Sequence, residues 1–255
     1  MALRLRNPHS VLAALEKRPQ AVVEVRLHAQ TPAGAWGEVV ALATRHRIPV
    51  LQAAGRSEKS RRQHNKMSAA DSERTGAAEA MVKENEGVTL DELFSRASPR
   101  RGGKGLWLAL DQLQDPHNVG AIFRTAAFFG VAGIVVTRDR SAPMNATVYD
   151  VASGGLEVVP FSVQTNLRRA LDTAKEHGVW VLGTSEHAET VYTAVPLDRP
   201  WLLVVGNEES GMRRLTTEHC DRTCRIPPRT TVGSLNVSVA TGILIARFAG
   251  GGLGN

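Results

Sequence analysis

From Leu106 onward the chain repeats a pattern that few architectures accommodate: short, wholly apolar runs separated by stretches of helical periodicity. The runs fall at Leu106–Leu110, Gly133–Thr137, Val158–Val163, Val179–Leu182 and Leu202–Val205. A strand with one wet face alternates polar and apolar residues, whereas a strand buried on both faces does not. The pattern therefore predicts an α/β fold on a mostly parallel sheet covered by helices on both faces. With 255 residues, 42% of them hydrophobic, the chain can bury one such core and a smaller one ahead of it. Fibrous and wholly disordered classes are excluded.

The amino-terminal part reads as a separate α/β unit. Asn7-Pro8 ahead of Val11, Leu12 and Leu15 has the form of an N-cap, a first-turn proline and an apolar helical stripe. A strand is expected over residues 21–27, a helix from about Ala33 to His46, and a further strand over Ile48–Leu51. Thr89 and Glu92 form a possible capping box for a last short helix. Linker composition follows at Ser98-Pro99-Arg100-Arg101-Gly102-Gly103-Lys104-Gly105. The expected division is a first domain over 1–97, a linker over 98–105 and a second domain over 106–255.

Charge separates the two parts. Residues 1–104 carry 18 basic and 11 acidic side chains, whereas 105–255 carry 13 and 14, so the net charge of +6 originates wholly in the first part. Arg56, Lys59, Arg61, Arg62 and Lys66 crowd one polar stretch against the single acid Glu58. Such a run suits a polyanion, and its bland alternative is a solvated basic face. The two cysteines, Cys220 and Cys224, give no disulfide framework, and with His219 they fall short of the four ligands of a structural zinc site. No metal is expected. The amino terminus lacks the apolar core of a secretory signal, and no run reaches the ~18 residues needed to span a bilayer. A soluble, cytoplasmic protein is expected.

Three segments of the second part place polar groups at strand-to-helix junctions, where open α/β sheets bind ligands. The first is 115–130, with Asn118 as a helix-capping candidate and Arg124 among Ala121, Ile122, Ala126 and Phe128. A guanidinium in apolar surroundings needs an anion, either a ligand phosphate or carboxylate or an internal Asp or Glu. The second is Gly206-Asn207-Glu208-Glu209-Ser210-Gly211. It lacks the Lys-Ser/Thr of a phosphate loop, and its acids suit a cationic or sugar-bearing ligand better, unless it is an ordinary turn. The third is 226–240, where Ser234 is the expected N-cap and Asn236 falls in the first helical turn. Both residues are equally suited to capping alone.

Taken in this order, the three segments resemble the signature motifs of the SpoU/TrmH family of ribose 2′-O-methyltransferases, within the SPOUT superfamily. The resemblance runs from about Leu106 to Phe248. It is similar above all to members acting on a guanosine of 23S rRNA, through Asp139-Arg140-Ser141-Ala142, Asn145-Ala146-Thr147 and Gly211-Met212-Arg213-Arg214-Leu215-Thr216. His9-Ser10-Val11 is similar to the start of the family's small RNA-binding domain, itself similar to certain ribosomal proteins.

The resemblance implies a domain whose carboxy-terminal segment threads a trefoil knot, an exception to the usual absence of knots. It implies S-adenosylmethionine as cofactor, held by Leu182, Gly183, Thr184, Ser185, Gly206, Asn207, Ile226, Pro227, Ser234 and Leu235. The family's functional side chains fall on Asn118, Arg124, Glu208, Ser234 and Asn236, while His9 and the basic residues 56, 59, 61, 62 and 66 would meet RNA. Members are homodimers. The implied activity is methylation of a ribose 2′-hydroxyl in structured RNA, foremost in 23S rRNA. The alternatives are a tRNA ribose methyltransferase and a non-catalytic ribosome-assembly factor of the same fold.

Overall fold

The structure, a computed structural model, describes residues 1–28, 34–52, 78–95 and 105–249. The basic run at 56–66 and the stretch 98–104 lie outside them. The strands are β1 (Ala2–Leu5), β2 (Val22–Leu27), β3 (Val50–Gln52), β4 (Ala78–Lys83), β5 (Leu106–Leu110), β6 (Gly133–Thr137), β7 (Phe161–Gln164), β8 (Trp180–Thr184), β9 (Trp201–Val205) and β10 (Arg222–Cys224). The α-helices are α1 (Pro8–Lys17), α2 (Ala35–Arg45), α3 (Leu90–Ser95), α4 (Pro116–Phe129), α5 (Ala146–Ala152), α6 (Gly155–Val158), α7 (Leu167–Glu176), α8 (Arg214–Glu218) and α9 (Val237–Ala249).

Packing divides the chain into Met1–Asn85 with Met144–Val158, and Glu86–Pro143 with Val159–Asn255. The break therefore falls ahead of the Gly-rich stretch 98–105. Leu90, Leu93 and Phe94 of α3 are buried with Trp107 and Val135 of the second unit's sheet, which carries α3 into that unit. The segment 144–158 joins the first unit through polar anchors. Arg6 and Asn7 donate their backbone N–H groups to the Asp150 carboxylate at 3.0 Å each, and Asn7 Nδ2 donates to the Asp150 carbonyl. Arg18 forms a two-point ion pair with Glu157 at 2.6 and 2.7 Å.

In the first unit the sheet order is β1-β4-β2-β3, with β4 antiparallel to both neighbours and β2 parallel to β3. Asn7 caps α1 by accepting from the His9 N–H, and Pro8 occupies the first turn, as its sequence predicts. Strands β1 and β4 are additions to the sequence reading. Strand β4 has few strong strand formers, and its Glu79 is almost buried, facing Arg4, Arg6 and His28 at 3.5–3.9 Å.

The second unit holds a six-stranded sheet, β10-β8-β9-β5-β6-β7, in which every pairing is parallel. Strands β5, β6 and β9 are buried along their whole length, which explains their unbroken apolar sequence. Trp107, Ala109, Val181, Leu202 and Val204 pack with α3 and α7 on one face. Helix α9 packs on α4 and against β5 and β9. Among the described residues no helix is long and apolar enough to cross a membrane.

Candidate active site

The carboxyl ends of β8, β9 and β10 deliver three loops to one cleft of about 1080 Å³, and the segment after β5 meets two of them through Asn118. The loop after β9 is folded back on itself. Asn207 and Gly211 exchange backbone hydrogen bonds at 3.0 Å, and Asn207 Oδ1 accepts from the N–H groups of Glu209 and Ser210. This closure needs glycine at 206, because a Cβ there would lie 2.3 Å from the backbone of Gly211 and Met212. Gly211 itself sits at φ +66°, the left-handed region that glycine enters without strain.

At the mouth of the cleft three distant residues join. Asn118 Nδ2 donates to Glu208 Oε1 at 3.1 Å, and Asn236 Nδ2 donates to Asn118 Oδ1 at 3.1 Å. Asn118 is buried, so each of its amide atoms uses a partner from a different loop, while Glu208 and Asn236 keep exposed edges. The result is a polar relay whose second carboxylate oxygen is met only by Asn207 Nδ2 at 3.5 Å, able to orient a hydroxylated ligand.

Two capping assignments change. Helix α4 is capped by Asp115, which accepts from the His117 N–H, and Asn118 lies inside its first turn. Helix α9 is capped by Asn236, whose Oδ1 accepts from the N–H of Ser238 at 2.9 Å and from its hydroxyl at 2.6 Å. Ser234 stands two residues earlier, exposed on the cleft rim. The physical reason is the same in both cases: an Asx side chain two or three residues ahead of the helical N–H groups satisfies them.

Eight of the ten expected cofactor contacts line the cleft: Thr184, Ser185, Gly206, Asn207, Ile226, Pro227, Ser234 and Leu235. Leu182 and Gly183 lie beneath it, buried within β8. Arg124 is exposed on α4 and makes no ion pair or hydrogen bond among the described residues, so neither its expected burial nor an internal acid is found. It lies six residues beyond Asn118, about 9 Å along the axis and roughly 120° around it. His9 is exposed at the start of α1. Arg56, Lys59, Arg61, Arg62 and Lys66 lie outside the described residues.

Four residues to which the sequence reading gave no role in the site also shape it. Asp111, 1% exposed, accepts from Arg213 Nη2 at 2.8 Å and Nε at 3.3 Å, and from Thr216 Oγ1 at 2.9 Å. The Gln112 carbonyl accepts from Asn207 Nδ2 at 2.8 Å. The signal available was the first aspartate of Asp111-Gln112-Leu113-Gln114-Asp115, directly after an apolar strand. Cys224 lines the cleft and Cys220 does not; burial raises both thiols to about 12, so they persist as packed, protonated groups. Among the described residues no group of three or more His, Cys, Asp or Glu is arranged to hold a metal ion.

A profile of the SpoU rRNA Methylase family matches residues 105–246, which contain all three loop motifs. The chain belongs to this family. It is 38% identical over 239 residues to a 23S rRNA (guanosine-2′-O-)-methyltransferase RlmB of Pseudomonas syringae pv. tomato, covering 93% of this chain and 91% of that protein. A protein of the same description from Pseudomonas aeruginosa is 47% identical over 156 residues, covering 61% of each chain. Among solved structures, the SpoU methyltransferase AviRb from Streptomyces viridochromogenes, in complex with AdoMet, aligns with a TM-score of 0.73 at 18% identity. That alignment covers 97% of this chain and 89% of AviRb, a likeness of fold.

Proposed function

We propose that the protein transfers a methyl group from S-adenosylmethionine to a ribose 2′-hydroxyl of structured RNA, foremost a guanosine of 23S rRNA. The observation that carries this reading is the Asn236–Asn118–Glu208 relay, which ties the three family motifs together at the mouth of a cleft. The cleft suits the cofactor. Its volume is that of a site for a drug-sized ligand, apolar Val205, Ile226, Leu235 and Leu244 offer surface to a base, and Glu186, Glu208 and Glu209 offer carboxylates to a cation. Thr184, Ser185, Gly206, Asn207, Ile226, Pro227, Ser234 and Leu235 would hold the adenosine, with Leu182 and Gly183 supporting it from β8.

When bound, S-adenosylmethionine supplies a methyl group already activated by its sulfonium. What the chain must contribute is alignment, which is worth on the order of 7 to 11 kcal/mol in favourable intramolecular reactions. The Asn118–Glu208 pair would receive the ribose, with Asn236 and Ser234 fixing the rim. Arg124 would bind the adjacent phosphate and hold the hydroxyl in line; a guanidinium is too weak a base to do more at neutral pH. Its exposure on α4, beside the 84%-exposed Phe128, supports completion of the site by a second copy of the chain, as a homodimer.

The same reading assigns RNA capture to residues 1–97, the part similar to a ribosomal-protein-like domain, with 98–105 as linker and 106–255 as the catalytic part. Lys and Arg of the 56–66 run, with His9, would supply phosphate affinity, in the cytoplasm where ribosomal RNA is made and modified. It also includes a trefoil knot. In support, β10 lies outside β8 whereas the following helix α9 returns to β5 and β9, and residues 224–225 hydrogen-bond to Ser185, Thr190 and Tyr192 of the β8–β9 connection.

Calorimetry with S-adenosylmethionine, together with methyl transfer to rRNA lacking the modification, tests the reading. Arg124→Ala is expected to abolish transfer while cofactor affinity stays within about twofold. Turnover near the wild-type rate would overturn the role given to Arg124. Cofactor binding without transfer to any RNA would favour the assembly-factor alternative.

A further inference from the structure

The first two residues after β5 hold the loop after β9 at both of its ends. At the near end, the Gln112 carbonyl accepts from the Asn207 side chain at 2.8 Å. Gln112 is fixed in a left-handed conformation, φ +62°, with its N–H donated to Thr137 Oγ1 at 2.8 Å. At the far end, the buried Asp111 carboxylate takes two N–H groups from Arg213 and the hydroxyl of Thr216. Every residue from Gly206 to Met212 lines the cleft, whereas Asp111, Arg213 and Thr216 do not.

We propose that Asp111 is a positioning residue for the cofactor site, acting through Arg213 and Thr216 to hold the 206–212 loop where it forms one wall of the cleft. The inference rests on the reading of that cleft as the S-adenosylmethionine site. The chemistry of the clasp is specific. A carboxylate accepts the two parallel N–H groups of a guanidinium, and the fork fixes direction as well as distance. An asparagine at 111 keeps the volume and one acceptor for Thr216, but presents an NH₂ to a donor and releases Arg213. A lysine at 213 keeps the charge and loses the fork. The backbone pairing of Asn207 with Gly211 closes the loop on itself but does not tie it to the sheet. At its far end Met212 packs against the core beside Gly183, and the Asp111 clasp supplies the directional tie to the end of β5.

The test measures S-adenosylmethionine Kd by calorimetry and the methyl-transfer kcat and KM of the full-length protein. The variants are Asp111→Asn, Arg213→Ala and Arg213→Lys, with Glu157→Gln as a control that breaks an ion pair of the other unit. Asp111→Asn and Arg213→Ala are expected to raise Kd and the cofactor KM about tenfold or more, with kcat at saturating cofactor within about threefold. Arg213→Lys should recover part of the loss, and Glu157→Gln should lower Tm without moving Kd. Arg213 is half-exposed, so its variants carry the test if Asp111→Asn fails to fold. A Kd for the Asp111 or Arg213 variants within twofold of wild type would overturn the proposal, as would an equal rise in Glu157→Gln. Failure of the wild-type protein to bind S-adenosylmethionine would instead overturn the reading of the cleft itself, and the clasp with it.

Discussion

Replacing Asn118 by Asp changes one amide nitrogen to oxygen and turns a hydrogen bond into a repulsion. The Asn118 Nδ2 now donates to Glu208 at 3.1 Å; in Asn118→Asp a carboxylate oxygen takes its place beside the Glu208 carboxylate. Two unit charges about 4 Å apart at an effective dielectric of 20 repel by about 4 kcal/mol. Glu208 is exposed and can swing into solvent, which reduces the net penalty to about 1–2 kcal/mol, or roughly one pKa unit. The sign is upward: one carboxyl of the pair titrates above its unfolded value. The destabilisation is therefore full above that raised pKa and fades as pH falls through it toward the ordinary carboxylate range. Urea denaturation of wild type and Asn118→Asp at about pH 8 and about pH 4.5 should give a stability difference that shrinks by ~1 kcal/mol at the lower pH. Asn118→Leu, which loses both amide bonds without adding charge, should show a difference independent of pH. An equal deficit for Asn118→Asp at both pH values would refute the pairing of Asn118 with Glu208.

Gly206→Ala places a methyl group 2.3 Å from the backbone of Gly211 and Met212, so the loop must shift. The expected cost is about 1–3 kcal/mol in urea denaturation, with cofactor affinity falling further than stability alone would explain. Burial holds Cys220 and Cys224 at about 12, so alkylation of the native protein by iodoacetamide at about pH 8.5 should be slow and should accelerate on unfolding. Because the folded state favours the protonated thiols, their contribution to stability is present below pH 9 or so and is lost as pH rises toward about 12.

What the sequence revealed of the fold follows where burial is two-sided. Strands β5 and β6 have the boundaries that their apolar runs predict, and β9 gains only Trp201, because no solvent-facing residue interrupts them. At the sheet edge the prediction weakens. Strand β7 begins at Phe161 and not at Val158, since residues 155–158 coil into α6 with Val158 54% exposed. Strand β10 is three residues long, pairs with β8 alone and carries Arg and Thr, so it leaves no apolar signature. Strand β4 is central in its sheet yet Ala-rich; backbone pairing to β1 and β2 holds it, and its Glu79 faces Arg4, Arg6 and His28, partners that no local pattern discloses.

The site divides along the same physical line. Its residue types are local facts, and its three motifs were legible, although the Asx-Pro signature read as the cap of α1 at Asn7-Pro8 was overlooked where it recurs at Asp115-Pro116, in favour of Asn118. Its connections are not local. The bonds that assemble it join residues 90, 118 and 102 positions apart: Asn118 with Glu208, Asn118 with Asn236, and Arg213 with Asp111. Arg124 illustrates the limit of reasoning from neighbours in sequence. Ile122, Phe123 and Ala126 are buried, but helical geometry turns position 124 to the opposite side, where Phe128 is also exposed. That outer face therefore carries a guanidinium with no partner among the described residues, beside an exposed phenyl ring. The polar relay holds three of the five expected functional side chains together, and the fourth lines the same cleft rim. The fifth, Arg124, stands apart from them on the exposed face of α4, and that separation is what the proposed second copy of the chain would bridge.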